Sequence, residues 1–167
     1  MKKALAALSI AFACVCGAQV ISPLGFFFIN QAFNLISGRI FSQTQPHMME
    51  NPSMKASIGV AQIINEQLPM ETSDGFALMI ARSPAPGAIE VKVAAPKGRP
   101  ISTAELDNAW KVGLVRMFCA ETPTIWSRWI AIGGTVGIEV SAPSGELIRR
   151  YGASNSDCRH YRSLLGR

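Results

Sequence analysis

The apolar and polar positions divide the chain into an almost uncharged front and a remainder that switches between helical and strand periods. After Lys2 and Lys3 no charged residue occurs until Arg39, and the run between them contains three consecutive phenylalanines at 26–28. Two cations followed by an apolar run have the form of an export signal, whose charged end stays in the cytoplasm. For segment 1–40 three outcomes are open. Cysteine and alanine at Cys16 and Ala18 suit cleavage after Ala18. Retention as an anchor is the second, since a spanning helix needs roughly 20 apolar residues and 4–21 or 18–36 nearly supply them. Acylation at Cys14, after "AFA", is the third. Pro23 and Gly25 interrupt the run and predict a kink in it. Even a cut chain keeps "LGFFFINQAFNLI", which calls for a membrane or a partner to cover it.

Residues 41–52, with Pro46 and Pro52, read as a linker, so the folded domain is expected over 53–167. In 53–67, Ser53 is placed as a cap and Ile58, Ala61, Ile64 and Leu68 fall at near-helical spacing. The stretch 75–96 predicts a hairpin. Phe76, Leu78 and Ile80 alternate on one arm, Ile89, Val91 and Val93 on the other, with Glu90 and Lys92 facing away. Pro84, Pro86 and Gly87 supply the reversal. A helix is predicted over 101–119, opened by the Ser102–Glu105 capping box and striped by Leu106, Trp110, Gly113, Leu114 and Met117. A second helix is expected from Thr122 or Pro123 to Gly133. Val136, Ile138 and Val140 begin a second hairpin that turns at "PSG", with Leu147–Tyr151 as an edge strand guarded by Arg149 and Arg150. A short helix over 155–166 closes the chain. This order predicts an α+β domain: a four-stranded antiparallel sheet made of two hairpins, with helices packed on one face.

Composition sharpens the picture modestly. Apolar residues make up 49% and charged residues 16% of the 167 positions, a low charge content for a wholly soluble chain. The net charge of +5 is mild, and Lys2 and Lys3 contribute two units of it. Arg149, Arg150, Arg159, Arg162 and Arg167, with His160 among them, are the only local concentration of charge. They are either a solvated face or a contact for an acidic partner or anionic headgroups. An exported chain without a recognised binding motif is not expected to meet nucleic acid.

Candidate chemistry is sparse. Cys14 and Cys16 lie in the leader, which leaves Cys119 and Cys158 as an even pair in a compartment that oxidises thiols. A structural disulfide between them is the favoured reading. A Cys158 nucleophile served by His160 is weaker, because side chains two apart do not converge well on a helix or strand. Zinc is equally poorly served by two cysteines and two histidines at these separations. No G-x-S-x-G, H-E-x-x-H or P-loop motif occurs, and no metal or cofactor is expected. Trp126 and Trp129, three apart on a short helix, share a face. They suit either core packing or an interaction surface at a membrane interface or partner groove.

A helix ending in Leu68–Pro69, a hairpin, a helix ending at Cys119, Gly134, a turn at Ser144–Gly145 and a closing Asp157–Cys158 resemble a loose group of small exported bacterial α+β proteins. The resemblance covers about residues 53–158. It implies a periplasmic domain with two paired cysteines and carries over no catalytic residue. The sequence therefore points to a non-enzymatic envelope protein. Its N-terminal segment would hold it at the inner membrane, with the domain facing the periplasm, unless cleavage near Ala18 frees it. That domain would bind another envelope component, as an assembly factor, a secretion or conjugation accessory, or an exclusion or inhibitor protein. The alternatives are a secreted ligand-binding domain or small hydrolase, with Glu139, Arg149 and Tyr151 as its candidate pocket, and a protein of the membrane surface.

Overall fold

Ser53 starts the first helix by accepting a hydrogen bond from the Ala56 amide at 3.2 Å, which satisfies a donor that has no intrahelical partner. In the computed structural model, which describes Ala32, Phe33, Leu35, Ile36, Gly38, 50–119 and 124–165, this helix is α1, Met54–Asn65. Its buried face is Ser57, Val60, Ala61 and Ile64, so Ile58 lies beside the stripe and is exposed. Ser57 is tolerated there because its hydroxyl bonds the Ser53 carbonyl at 3.0 Å and the Ser83 hydroxyl at 2.7 Å.

Strands β1 (Met70–Glu71), β2 (Ala77–Arg82) and β3 (Ala88–Ala94) follow. Then come α2 (Thr103–Ala109), a π-helical turn (Trp110–Leu114), α3 (Val115–Phe118) and α4 (Ile125–Ala131). Strands β4 (Thr135–Ser141) and β5 (Leu147–Ala153) and helix α5 (Asn155–Leu165) complete the domain. The sheet runs β1-β2-β3-β4-β5, and β3 and β4 pair in parallel while every other pair is antiparallel. The expected four-stranded antiparallel sheet is thus corrected to a five-stranded mixed one. The helical connection from β3 to β4 is long enough to carry the chain back to the end where β3 began, as parallel pairing requires. The two-residue β1 is too short for any alternation to reveal.

Two local irregularities moved residues from their expected faces. A bulge between Leu78 and Ile80 shifts the β2 register. Leu78 and Ala81 therefore point into the core, and Ile80 is 48% exposed instead of continuing the Phe76–Leu78 alternation. The π turn after Ala109 inserts an extra residue into the helix, so the deeply buried position beyond it is Phe118, one residue past the expected Met117. The Ser102–Glu105 capping box forms as expected, and Thr124 with Ser127 makes a second one that opens α4. Positions 121–123, where the start of that helix was expected, lie outside the described residues.

The core fills the space between one sheet face and the helices. Ile89, Val91, Val93, Val136, Ile138 and Val140 form its floor, covered by Val60, Ile64, Leu106, Phe118, Trp126 and Trp129. Phe33 and Ile36 belong to the same core. The Phe33 ring stands edge-on to Phe118 at 5.7 Å and to Trp126 at 5.5 Å, the arrangement aromatic quadrupoles favour. The core thus reaches ahead of the boundary expected at 53 and draws on the tail of segment 1–40. Residues 1–31, with Cys14 and Ala18, and linker residues 41–49 lie outside the described residues. Among the described residues no helix is long and apolar enough to cross a membrane.

Cys119, at the end of α3, is bonded to Cys158 in α5, with Cα atoms 5.0 Å apart. The bridge joins helix to helix across a sequence separation of 39. Closing a loop of that size stabilises the fold by about 4 kcal/mol in the chain-entropy model.

Trp129 locks the turn between α4 and β4. Its indole N–H donates to the Gly87 carbonyl at 3.0 Å, and its ring lies so close to Gly134 that a Cβ there would sit 2.3 Å from Nε1. Gly134→Ala must displace a buried tryptophan and is expected to lower stability by about 1–3 kcal/mol, read from urea unfolding of the oxidised protein. An unchanged midpoint would refute this packing.

Candidate functional site

Strand alternation gives the sheet a second face, opposite the core, and on it each of the four long strands carries charge. Arg82 lies opposite Glu90, Lys92 beside Glu139, and Glu139 opposite Arg150. The two carboxylates are sunk into this face, at 8% exposure each. Buried anions are costly unless paired, and these are paired on every side. Glu90 accepts from Arg82 Nε at 2.7 Å and pairs with Arg150 Nε at 3.5 Å. Glu139 meets Lys92 Nζ at 3.0 Å, Arg150 Nη2 at 2.5 Å and Arg82 Nη2 at 3.3 Å. Hydrogen bonds from Arg150, then from Lys92, hold the Glu139 carboxyl below the usual carboxylate range, and burial opposes them only partly. The cations keep about half of their side chains in solvent. The result is an open, basic skin over two neutralised acids.

A second cluster lies at the core side of β5. Asp107 in α2 accepts two parallel bonds from Arg149, at 2.9 and 2.8 Å, and a third from the Tyr151 hydroxyl at 2.8 Å. The Arg149 and Tyr151 bonds lower the Asp107 pKa. Burial first, and the bond to Asp107 second, raise that of Tyr151. Trp110 stacks on the Tyr151 ring at 4.9 Å with an interplanar angle of 16°. These contacts dock the start of the crossover helix on the edge strand, a structural task.

The structure separates residues that the sequence had grouped. Trp126 and Trp129, candidates for an interaction surface, are each 1% exposed and belong to the core instead, because their shared helix face is the one turned to the sheet. The arginines do not form one patch. Arg149 pairs with Asp107 on the core side, Arg150 sits in the network on the opposite face, and Arg159 and Arg162 are exposed on α5. Glu139 points to the open face while Arg149 and Tyr151 point to the other, since their register partners are Arg150, Val140 and Ile138 in turn. Those three cannot line one pocket. Cys158 is consumed by its bond to Cys119, which removes the thiolate that a partnership with the exposed His160 would need. Among the described residues no group of three or more His, Cys, Asp and Glu is placed to hold a metal ion.

Sequence reasoning set Glu90 and Lys92 on the outward face but did not connect them to Arg82, Glu139 and Arg150. The missing piece was the parallel β3–β4 pairing, which brings the outward rows of both hairpins side by side. A usable signal existed, in that each of four strands has charge at an outward-alternating position.

The fold defines a class: a small α+β domain with one helix-to-helix disulfide and a mixed five-stranded sheet covered on one face. No family model and no curated protein matches the sequence. Two solved structures are similar to it. One is the pilotin EpsS of the Vibrio vulnificus type 2 secretion system, at TM-score 0.50 and 18% identity, covering 67% of this chain and 93% of that one. The other is the type II secretion system pilotin AspS from Vibrio cholerae, at TM-score 0.49 and 16% identity, covering 71% and 99% respectively.

The lowered pKa of Glu139 makes the network pH-dependent. In the unfolded chain this carboxylate takes up its proton near the ordinary glutamate value of 4.5, ahead of the folded protein. Its stabilisation is therefore complete above that value and is lost as pH falls through the lower folded pKa. Asp107 acts with the same sign. Urea midpoints of the oxidised protein should fall between about pH 5 and pH 2, and Glu139→Gln should flatten that descent while lowering the plateau at pH 7. An equal acid slope in wild type and variant would contradict the pairing.

Proposed function

We propose that the protein is a non-enzymatic accessory factor of a bacterial envelope secretion machine, and that its disulfide-bonded domain acts in the periplasm by binding another component of the envelope. The observation that carries the reading is the likeness of fold to the pilotin EpsS over nearly the whole of that chain. Two features of the molecule agree with it. The Cys119–Cys158 bridge suits an oxidising compartment. The front of the chain has the form of an export leader, and its apolar run is suited to hold the domain beside a membrane. Retention of the uncut leader would leave the protein in the inner membrane, whereas cleavage near Ala18 or acylation at Cys14 would release or relocate it. The charged clusters are engaged in holding strands and helices together, which favours a binding role over catalysis.

Purification of the tagged full-length protein from formaldehyde-treated cells should recover one dominant integral or lipid-anchored component of a secretion apparatus. Deletion of the gene should reduce the amount of that component in its assembled form. Recovery of no specific partner under secreting conditions, with assembly unaffected, would overturn the reading.

A further inference from the structure

Three rows of side chains cross the four long strands on the open face of the sheet, one of them Ala77, Ala94, Ser141 and Leu147. The outermost is Arg82, Glu90, Gly137 and Gly152, and the central one is Ile80, Lys92, Glu139 and Arg150. Among the described residues no helix covers them, and Ile80 at 48% and the half-exposed arginines face solvent. Two features go beyond what pairing of the strands requires. Gly137 and Gly152 are register partners, so adjacent strands present bare backbone next to the guanidinium groups. A Cβ on Gly152 would meet nothing within 4 Å, one on Gly137 would lie 3.5 Å from the Glu90 side chain, an ordinary contact, and neither glycine has the positive φ that would demand one. Paired glycines on an open sheet weaken it, because they pack nothing, and such sites mark a close approach by another group. The second feature is the charge balance. Arg82, Lys92 and Arg150 outnumber Glu90 and Glu139, and the acids lie at the bottom of the network while the cations form its top. Within this network the Nη1 groups of Arg82 and Arg150 are unused, and they are donors of fixed geometry.

We propose that this face receives an acidic segment of the protein partner. Carboxylates of the segment pair with the outward donors of Arg82, Lys92 and Arg150, and its backbone or a flat side chain lies over Gly137 and Gly152. The inference rests on the reading of the protein as a partner-binding envelope factor and names the surface and the chemistry of that partner. Charge complementarity favours a protein segment over a bilayer. Attraction to anionic lipid grows with the number of uncompensated cations, and here two of three are compensated. Pairing with carboxylates depends instead on donor geometry, which the buried acids fix.

The test places a photoreactive benzoyl-phenylalanine at Ile80 on the open face, or at the exposed Ile58 on α1, in the full-length protein in living cells. Irradiation should give a protein adduct from position 80 and none from position 58. Mass spectrometry should place the partner's cross-linked peptide in a stretch rich in Asp and Glu. Gly152→Glu should reduce the adduct at least tenfold, whereas Gly152→Lys, which also covers the bare backbone but adds a cation, should reduce it less than threefold. In osmotically opened cells, raising salt should weaken the wild-type adduct at least tenfold, which probes the contact without any substitution at position 152. Equal loss in both Gly152 variants, an adduct indifferent to salt, or a lipid adduct would overturn the proposal. An adduct from position 58 alone would overturn this surface and leave the partner-binding reading standing. Adducts from neither position would count against both.

Discussion

Parallel pairing of β3 with β4 is the contact on which the rest of the molecule depends. A two-stranded hairpin is marginal in water, and this chain has two of them, joined edge to edge along the full length of both inner strands. On one side of the seam Ile89, Val91 and Val93 lie against Val136, Ile138 and Val140, and the helices seal them from water. On the other side Arg150 reaches from the second hairpin to Glu90 in the first, while Arg82 and Lys92 reach from the first to Glu139 in the second. Apolar packing supplies the driving force. The charged side requires that the two hairpins meet in one register, because any slip would leave a sunken carboxylate unpaired. The remaining elements serve this seam. The crossover from α2 to α4 returns the chain to the correct end, the Asp107–Arg149–Tyr151 contact pins its start, and the disulfide ties α3 to α5.

Much of this was legible in the sequence. The capping box at Ser102, the turn chemistry of both hairpins and the outward placement of Glu90 and Lys92 are written in local residue choices, and the pairing of Cys119 with Cys158 follows from the count of cysteines beyond the leader. The parts that were not legible have physical reasons. A bulge in β2 and a π turn after Ala109 each shift a side-chain pattern by one residue; no glycine or proline marks the bulge, and Gly113 inside the turn fits a regular helical stripe equally well. Parallel and antiparallel strands share the same period-two pattern, so alternation could not distinguish how β3 and β4 would meet. Ala32, Phe33 and Ile36 read as part of an apolar leader because hydrophobicity alone does not say whether lipid or protein covers a side chain. The tryptophan pair on α4 carried the same ambiguity, and it too was settled in favour of the core.

The distribution of charge separates two tasks that the sequence presented as one basic cluster. Arg149 works inward, fixing a helix to an edge strand. Arg150, its neighbour in sequence, works on the opposite face in a network whose cations still look outward. Adjacent residues on a strand therefore serve separate charge clusters on its two faces. The open face gives the proposed partner-binding role residues on which it can be tested.

The central claim is that the seam makes two hairpins into one cooperative unit. Native-state hydrogen exchange on the oxidised protein measures this most directly. The amides of Leu78, Val91, Ile138 and Tyr151 should share one opening free energy, equal to that of global unfolding. Exchange of Ile138 and Tyr151 through a separate, lower-energy opening, with Leu78 and Val91 still protected, would contradict the account.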